Sequence, residues 1–340
     1  MNNPILSICI PTYNRAKHVF SLVQNILSCQ TDEIEVVVLD NCSTDETKKL
    51  LSSIYDNRFV FIQNPQNIGG ILNTVNVLTL AKGEYALLCL DRDNINNQNI
   101  LPLIDSLREE NDVVLGYCTF ELIEKSSDNV YEKGFDSVLN MAYLSKHPSG
   151  EFFKTAILKK LKKIEEINNN LVKFGFYHDL MNAEASFFGK SKMINIPIVA
   201  AAYLNSKDDF GVNKSHSYTN TNYYFKPDQR IFEYSSYMIH ASKLNLSSKE
   251  KIKLFNAIYY RGLISATFDF KKKLMDMKIC SHYRIDTRKV SFIELLKNDF
   301  YFSSSFLKQN IHISFLRKIN ICLYAHFKFI YLFFRRIVEK

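Results

Sequence analysis

The chain has 340 residues, 46% of them hydrophobic and 23% charged, the composition of a folded globular protein with one large or two ordinary domains, which excludes a disordered chain or a peptide module. Its seven cysteines are scattered and form no Cys-x-x-Cys pair, so neither a disulfide framework nor a zinc or redox site is expected, and a reducing cytosol fits. The net charge of +8 is unevenly spread, because residues 241–340 hold 20 Lys and Arg against 7 Asp and Glu. A basic, aromatic-rich end suits nucleic acid, an anionic membrane surface or a polyanionic substrate, and charge alone leaves these open.

The first 120 residues alternate β-branched runs with helical spacings, the pattern of a parallel sheet with crossover helices. Leu6–Ile10 reads as a buried strand stopped by Pro11, and Val19, Leu22, Val23, Ile26 and Leu27 fall at helical spacing within 17–29. Glu35–Leu39 is a second strand, ended by Asp40. Ser43 with Glu46 reads as a capping box for a helix at about 44–55. Phe59–Ile62 is a third strand, Gly69-Gly70 opens the next helix and Gly83 closes it. The strand Tyr85–Leu90 then carries Asp91-Arg92-Asp93 at its carboxyl end, where open α/β sheets bind ligands.

From 113 to 200 the pattern is mixed: a strand at 113–119, a hairpin, a Lys-rich helix near 154–167, a helix from about Asp179 and a strand at 193–199. Residues 205–222 are polar and aperiodic and read as a long loop, in which Lys207, Lys214 and His216 either close over phosphate or are simply solvated. Beyond 228 the reading is helical, with Ser247 and Glu250 as a second capping box. Charges interrupt every apolar stretch before the roughly 18 residues of a membrane span. The N-terminus MNNPILSICIP lacks both a basic leader region and a cleavage site, so a chain neither secreted nor membrane-spanning is expected.

Two carboxylates one residue apart are, taken alone, a turn in which each satisfies local backbone donors. At the end of a buried strand they suit a hard divalent ion, which takes one or two carboxylates from protein when a diphosphate supplies other oxygens. Asp40 ends a neighbouring strand and faces the same crevice, where an aspartate accepts a hydrogen bond from a base or ribose. Its alternative role, helix capping, is filled by Ser43. Pro11-Thr12-Tyr13-Asn14-Arg15 leaves the sheet at that edge too, and by itself is a turn.

Together SICIPTYNRAKHV, VVVLDNCSTDET and NIGGILNTVNVLTLAKGEYALLCLDRD, in order and spacing over residues 4–120, resemble the N-terminal half of inverting glycosyltransferase family 2. The resemblance implies the GT-A fold, a Rossmann-like, mostly parallel sheet with flanking helices. It implies that Pro11, Thr12, Tyr13 and Asp40 surround the nucleobase and ribose and that Asn67 and Asn73 line the same pocket. Asp91 and Asp93 would hold the Mn2+ or Mg2+ that bridges the donor diphosphate. Arg92 departs from the commonest form of that motif. The favoured reading pairs it with an acidic neighbour on the opposite face of the extended segment, and the other brings it to a donor phosphate. An inverting transfer also needs a general base for the acceptor hydroxyl. The family usually draws it from an Asp or Glu at a helix start well after the metal motif. Asp179 in FGFYHDLMNAEASF matches, with Glu184 and His178 behind it, and the structural alternative for Asp179 is an N-cap.

The C-terminal SFLRKINICLYAHFKFIYLFFRRIVEK is apolar nearly all round a helix, interrupted by Arg317, Lys318, Lys328, Arg335 and Arg336. It is either a core helix or, the favoured reading, an interfacial one whose rings enter lipid while its cations meet anionic headgroups. The expected organisation is therefore a GT-A catalytic domain over 1–225 and a basic helical domain over 226–340. The expected activity moves a sugar from a nucleotide donor, UDP by preference, to a hydroxyl of a bacterial surface glycan or its lipid-linked precursor. Such a protein would be cytoplasmic and peripheral on the inner face of the cell membrane, with no nucleic-acid partner. The alternatives are a noncatalytic glycan-binding or scaffold protein of the same fold and a nucleotidyltransferase, which usually carries an N-terminal Gly-rich phosphate loop that is missing here.

Overall fold

A computed structural model describes residues 4–109, 112–120, 128–169, 177–200, 223–311 and 313–338. They belong to two compact units, Met1–Ser215 and His216–Lys340. The loop expected at 205–222, with Lys207, Lys214 and His216, lies outside the described residues.

The first unit is built on a nine-stranded sheet. Its strands are β1 (Leu6–Thr12), β2 (Ile34–Asp40), β3 (Phe59–Gln63), β4 (Tyr85–Leu88), β5 (Asn94–Ile95), β6 (Val113–Phe120), β7 (Asn129–Tyr131), β8 (Glu151–Lys154) and β9 (Lys190–Ala200). The helices are α1 (Ala16–Leu27), α2 (Thr47–Leu51), α3 (Gly70–Thr79), α4 (Ile100–Arg108), α5 (Phe135–Met141), α6 (Thr155–Leu158), α7 (Lys162–Asn168) and α8 (His178–Ala185). Spatial order is β3-β2-β1-β4-β8-β6-β9-β5, with β7 added on β9. β3, β2, β1 and β4 run parallel, which requires crossover helices and covers both faces, so every residue of β1 and β2 is buried. Val19, Leu22, Val23 and Ile26 of α1 supply part of that cover, each contributing about 2 kcal/mol by leaving water. β8 lies antiparallel between β4 and β6, and β6 pairs in parallel with β9.

Three local expectations are corrected. The hairpin after β6 does not form: both edges of β6 are taken by β8 and β9, so β7 pairs antiparallel with β9. The helix expected near 154–167 is two short ones, because Lys154 belongs to β8 and the chain turns between α6 and α7. Ser43 and Glu46 make no capping box. The Ser43 hydroxyl is drawn to Asp40, and α2 starts later, where Asp45 accepts the Thr47 amide at 2.9 Å.

Among its described residues the second unit is helical: α9 (Pro227–Lys243), α10 (Ser248–Ile264), a π turn at Ser265–Asp269, then α11 (Phe270–Leu274), α12 (Met277–Tyr283), α13 (Phe292–Lys308) and α14 (Phe315–Val338). Here the Ser247–Glu250 capping box does form. α10 buries Leu254, Phe255, Ile258 and Tyr259, and Gly262 lets α13 approach closely: a Cβ there would lie 2.3 Å from the Phe302 ring. No helix among the described residues is long and apolar enough to cross a membrane.

Candidate active site

The carboxyl ends of β1, β2 and β4 meet at one edge. Parallel register sets Thr12 opposite Asp40, and the Thr12 hydroxyl reaches across to donate to Asp91 Oδ2 at 2.8 Å. The loops that follow β1 and β2 are laced together. Asn14, at a left-handed φ of 52°, donates its amide to Ser43 Oγ at 2.8 Å and accepts the Thr44 amide at 2.7 Å.

The residues expected to cradle the nucleotide are gathered here, several already engaged inside the protein. Pro11 and Thr12 are buried and Tyr13 half-buried. Asp40 is fully buried, and its oxygens accept the Ser43 amide, the Ser43 hydroxyl and Gln63 Nε2, the last at 2.8 Å. Asn73 spends both ends of its amide, accepting from Asn64 at 2.8 Å and donating to the Leu39 carbonyl at 3.0 Å. Asn67 is exposed and accepts from Asn41 and the Gly69 amide. Asp40 and Asn73 therefore hold the shape of the edge, and Asn67 lies at its open side.

Asp91 and Asp93 differ sharply. Asp91 is held by Thr12 and by Arg15, whose Nε lies 3.3 Å from Oδ1. Burial pushes its carboxyl above the usual range, and Arg15 and Thr12 offset part of that shift. Asp93 accepts the Ser149 hydroxyl on Oδ2 at 2.5 Å, while its Oδ1 is buried without a hydrogen-bond partner. A buried orphan carboxylate oxygen is costly and suits a hard cation. Among the described residues no three His, Cys, Asp or Glu side chains gather around an ion, so any divalent ion here would complete its shell from a diphosphate and water. The pairing favoured for Arg92 is not made. Among the described residues it forms no ion pair, and its Nε is buried without a partner, so the acid that needed a cation found Arg15 instead.

This edge lies within residues 7–170, which match the family model "Glycosyl transferase family 2". That segment, just under half of the chain, is similar to glycosyl transferase family 2. Glycosyltransferase GlyG of Streptococcus pneumoniae is 30% identical over 132 residues, 37% of this chain and 42% of that protein. GalNAc(5)-diNAcBac-PP-undecaprenol beta-1,3-glucosyltransferase of Campylobacter jejuni is 28% identical over 177 residues, 49% of this chain and 57% of that protein. The chain thus spans about half the length of these curated relatives. The solved structure of S. aureus TarS 1-349 in complex with UDP-GlcNAc matches with a TM-score of 0.54 over 88% of this chain and 90% of that one, at 15% identity, a likeness of fold. The GT-A expectation therefore holds.

Beyond the Asp-x-Asp motif, the matched segment continues into a group that sequence reasoning missed. Gly150, at a φ of 90°, donates its amide to the Leu88 carbonyl and accepts the Cys118 amide, which locks the turn before β8 to β4 and β6. Ser149 in that turn bridges the Leu90 amide and Asp93. His147 Nε2 lies 3.7 Å from Asp93, and burial pushes its pKa down to about 4, so the imidazole is neutral at physiological pH. Arg15 stands inside the motif PTYNR. Ser149 and His147 had only the turn signal HPSG to mark them.

Asp179 is buried on the first turn of α8 but does not cap it. Its Oδ1 and Oδ2 accept the amides of Leu144 and Ser145 at 3.0 and 2.9 Å, in a turn where Tyr143 and Ser145 are left-handed. Of its rivals, Glu184 accepts the amides of Lys162 and Lys163, both at 2.9 Å, and so caps α7. His178 Nε2 contacts the Lys146 carbonyl at 3.2 Å and lies 3.9 Å from Glu151.

Glu151 is buried, accepts from Asn182 at 3.1 Å on Oε1, and has no partner for Oε2. Burial raises its pKa from 4.5 to about 7. A carboxyl raised on folding contributes stability that is fully present below its unfolded pKa and is lost as pH rises through its folded one. Between pH 4.5 and about 7 that loss is about 3 kcal/mol. Glu151→Gln keeps the acceptor for Asn182 and removes the ionisation. Its melting temperature relative to the native chain should therefore climb from pH 5 to pH 8, and parallel pH profiles would contradict this.

Proposed function

We propose that the chain is a metal-dependent inverting glycosyltransferase that takes a sugar from a nucleotide donor, UDP by preference, to a hydroxyl of a bacterial surface glycan or its lipid-linked precursor. The observation that carries this is Asp93 Oδ1, a buried and unpartnered carboxylate oxygen beside an Asp91 locked by Thr12 and Arg15, at the sheet edge of the segment similar to family 2. Asp93, with Asp91 beside it, would hold Mn2+ or Mg2+, which when bound neutralises charge on the departing diphosphate. Thr12 and Tyr13 border the nucleoside pocket that Asp40 and Asn73 shape. Arg92, its Nε unpartnered, binds a donor phosphate.

Asp179 serves as the base. Its two oxygens accept the Leu144 and Ser145 amides, which fix the carboxylate in position, and a carboxylate so held is a group of the right type to take the acceptor's hydroxyl proton. The acceptor oxygen bonds to the anomeric carbon from the face opposite the nucleotide. The bond to the diphosphate breaks with its electron pair on the phosphate oxygen, and inversion follows. The test is titration of UDP into the full chain with and without Mn2+, in which binding should require the metal.

The partner surface we assign is an anionic membrane at α13 and α14. α14 buries Ile321 and Ala325 and turns Leu316, Leu323, Phe327 and Ile330 outward, and α13 exposes Phe292, Ile293, Leu296 and Phe300. Soluble surfaces rarely gather so much apolar area. Arg317, Lys297 and Lys328 are exposed among these rings, and a lipid-linked acceptor would be met at such a surface. Lys318 is not among them: it is buried, and its ammonium binds the Leu307 carbonyl at 3.1 Å near the C-terminus of α13, a favourable place for a cation. The side chains of Arg335 and Arg336 lie outside the described residues. The full chain should sediment with vesicles containing phosphatidylglycerol. A Leu323→Asp, Phe327→Asp variant should stay in the supernatant with unchanged UDP affinity. No sedimentation of the native chain would remove the membrane from the account.

A further inference from the structure

The helical unit contains an open cavity of about 850 Å³ between the N-terminal part of α9 and the face of α13, floored by Phe270. That volume falls within the range of small-molecule sites, roughly 300–1,000 Å³. Its walls combine two kinds of surface. Phe232 and Tyr301 offer apolar faces to solvent, at 53% and 62% exposure, and neither belongs to the core of the unit. Between them lie fixed polar groups. Arg288 holds Glu294 in a two-point pair at 2.8 and 2.7 Å, and Ser235 and Ser305 place their hydroxyl oxygens 3.3 Å apart.

Asn298 in the same wall has its amide nitrogen buried with no hydrogen-bond partner. Lys308 at the rim makes no ion pair among the described residues. An aromatic face beside a row of rigid donors and acceptors matches a pyranose ring. Such a ring presents a C–H face to an aromatic surface and neighbouring hydroxyls to bidentate polar partners. A simple anion site would need neither ring, and an apolar ligand would leave the Asn298 amide nitrogen unpaired.

We infer that this cavity is a saccharide-binding site, separate from the edge that carries Asp91 and Asp93. Its ligand is a sugar residue of the glycan on which the chain acts. Naming that ligand as part of the acceptor rests on the glycosyltransferase reading, whereas sugar binding by the cavity does not.

The test is saturation-transfer NMR on the full chain with the methyl glycosides of glucose, galactose, N-acetylglucosamine and N-acetylgalactosamine, each with UDP and Mn2+ present to fill the sheet edge. At least one glycoside should receive saturation. Phe232→Ala and Tyr301→Ala, which remove exposed rings and should leave the melting temperature unchanged, should each weaken it tenfold or more. Saturation of none of the glycosides overturns the inference. So does a signal that UDP and Mn2+ abolish and neither substitution alters, or a response of the cavity resonances to inorganic phosphate alone. If UDP fails to bind while a glycoside binds in a ring-dependent way, the glycosyltransferase reading falls and the saccharide site stands.

Discussion

Asp93→Asn should leave the protein folded and reduce sugar transfer at least about a hundredfold, because a ligand to a charge-neutralising ion supplies several kcal/mol to the departing diphosphate. The fold should tolerate the change for a reason visible in the site. The asparagine oxygen can still accept the Ser149 hydroxyl, and its amide group replaces an oxygen that has no donor facing it. Removing an uncompensated buried charge is neutral or stabilising, so the melting temperature should hold or rise. The readout independent of turnover is nucleotide affinity, which should lose its dependence on Mn2+ in the variant. An Asp93→Asn protein that transfers sugar normally, or whose UDP affinity still rises with Mn2+, would remove Asp93 from the site. Asp91→Asn is a different substitution, because it breaks the contacts to Thr12 and Arg15, and its effect should fall on stability as well as on turnover.

The second large effect is expected at Asp179. Had this residue been an N-cap, asparagine would have preserved its work. The contacts to Leu144 and Ser145 change that, since both oxygens already face amide donors. In Asp179→Asn one of those amides meets an NH2 group, and a buried donor left unpaired costs about 1–3 kcal/mol. A lower melting temperature is therefore expected whether or not Asp179 is the base, and tolerance alone does not separate the roles. The separating measurement is turnover per folded molecule, taken well below the transition beside UDP affinity. A lost base lowers kcat by about 10²–10⁴ with UDP affinity nearly unchanged. Turnover that falls only with the folded fraction would make Asp179 a support for the turn at 143–146 and nothing more.

What the sequence disclosed, and what it hid, follows from how local each signal is. β1, β2 and β4 were legible because strands buried on both faces are near-continuous apolar runs, and Asp40 and Asp91 were legible because each stands where such a run stops, whereas Thr12 was marked only by the resemblance that SICIPTYNRAKHV carries. Asp179 could be located but its partners could not, since nothing in FGFYHDLMN signals that two amides of a left-handed turn more than 30 residues earlier need a carboxylate. Ser149 was invisible for the same reason: its partner Asp93 lies 56 residues away, and a serine in HPSG is by itself an ordinary turn residue. Glu151, a charged residue inside a buried strand, opens a segment that reads as the approach to a helix. Arg92 failed differently. Alternation along an extended segment predicted a partner on the opposite face, but the chain turns at Asp93, where its amide bonds to the Leu90 carbonyl, so alternation no longer applies.

The account turns on whether the edge formed by Thr12, Asp91 and Asp93 holds a nucleoside diphosphate through a divalent ion. Isothermal titration of UDP into the full-length chain measures this most directly, run once with Mn2+ and once with a chelator. The account predicts saturable one-site binding with Mn2+, at least tenfold weaker in the chelator and weakened to the same level by Asp93→Asn. UDP affinity equal in Mn2+ and chelator, or no binding of UDP under either condition, would contradict it.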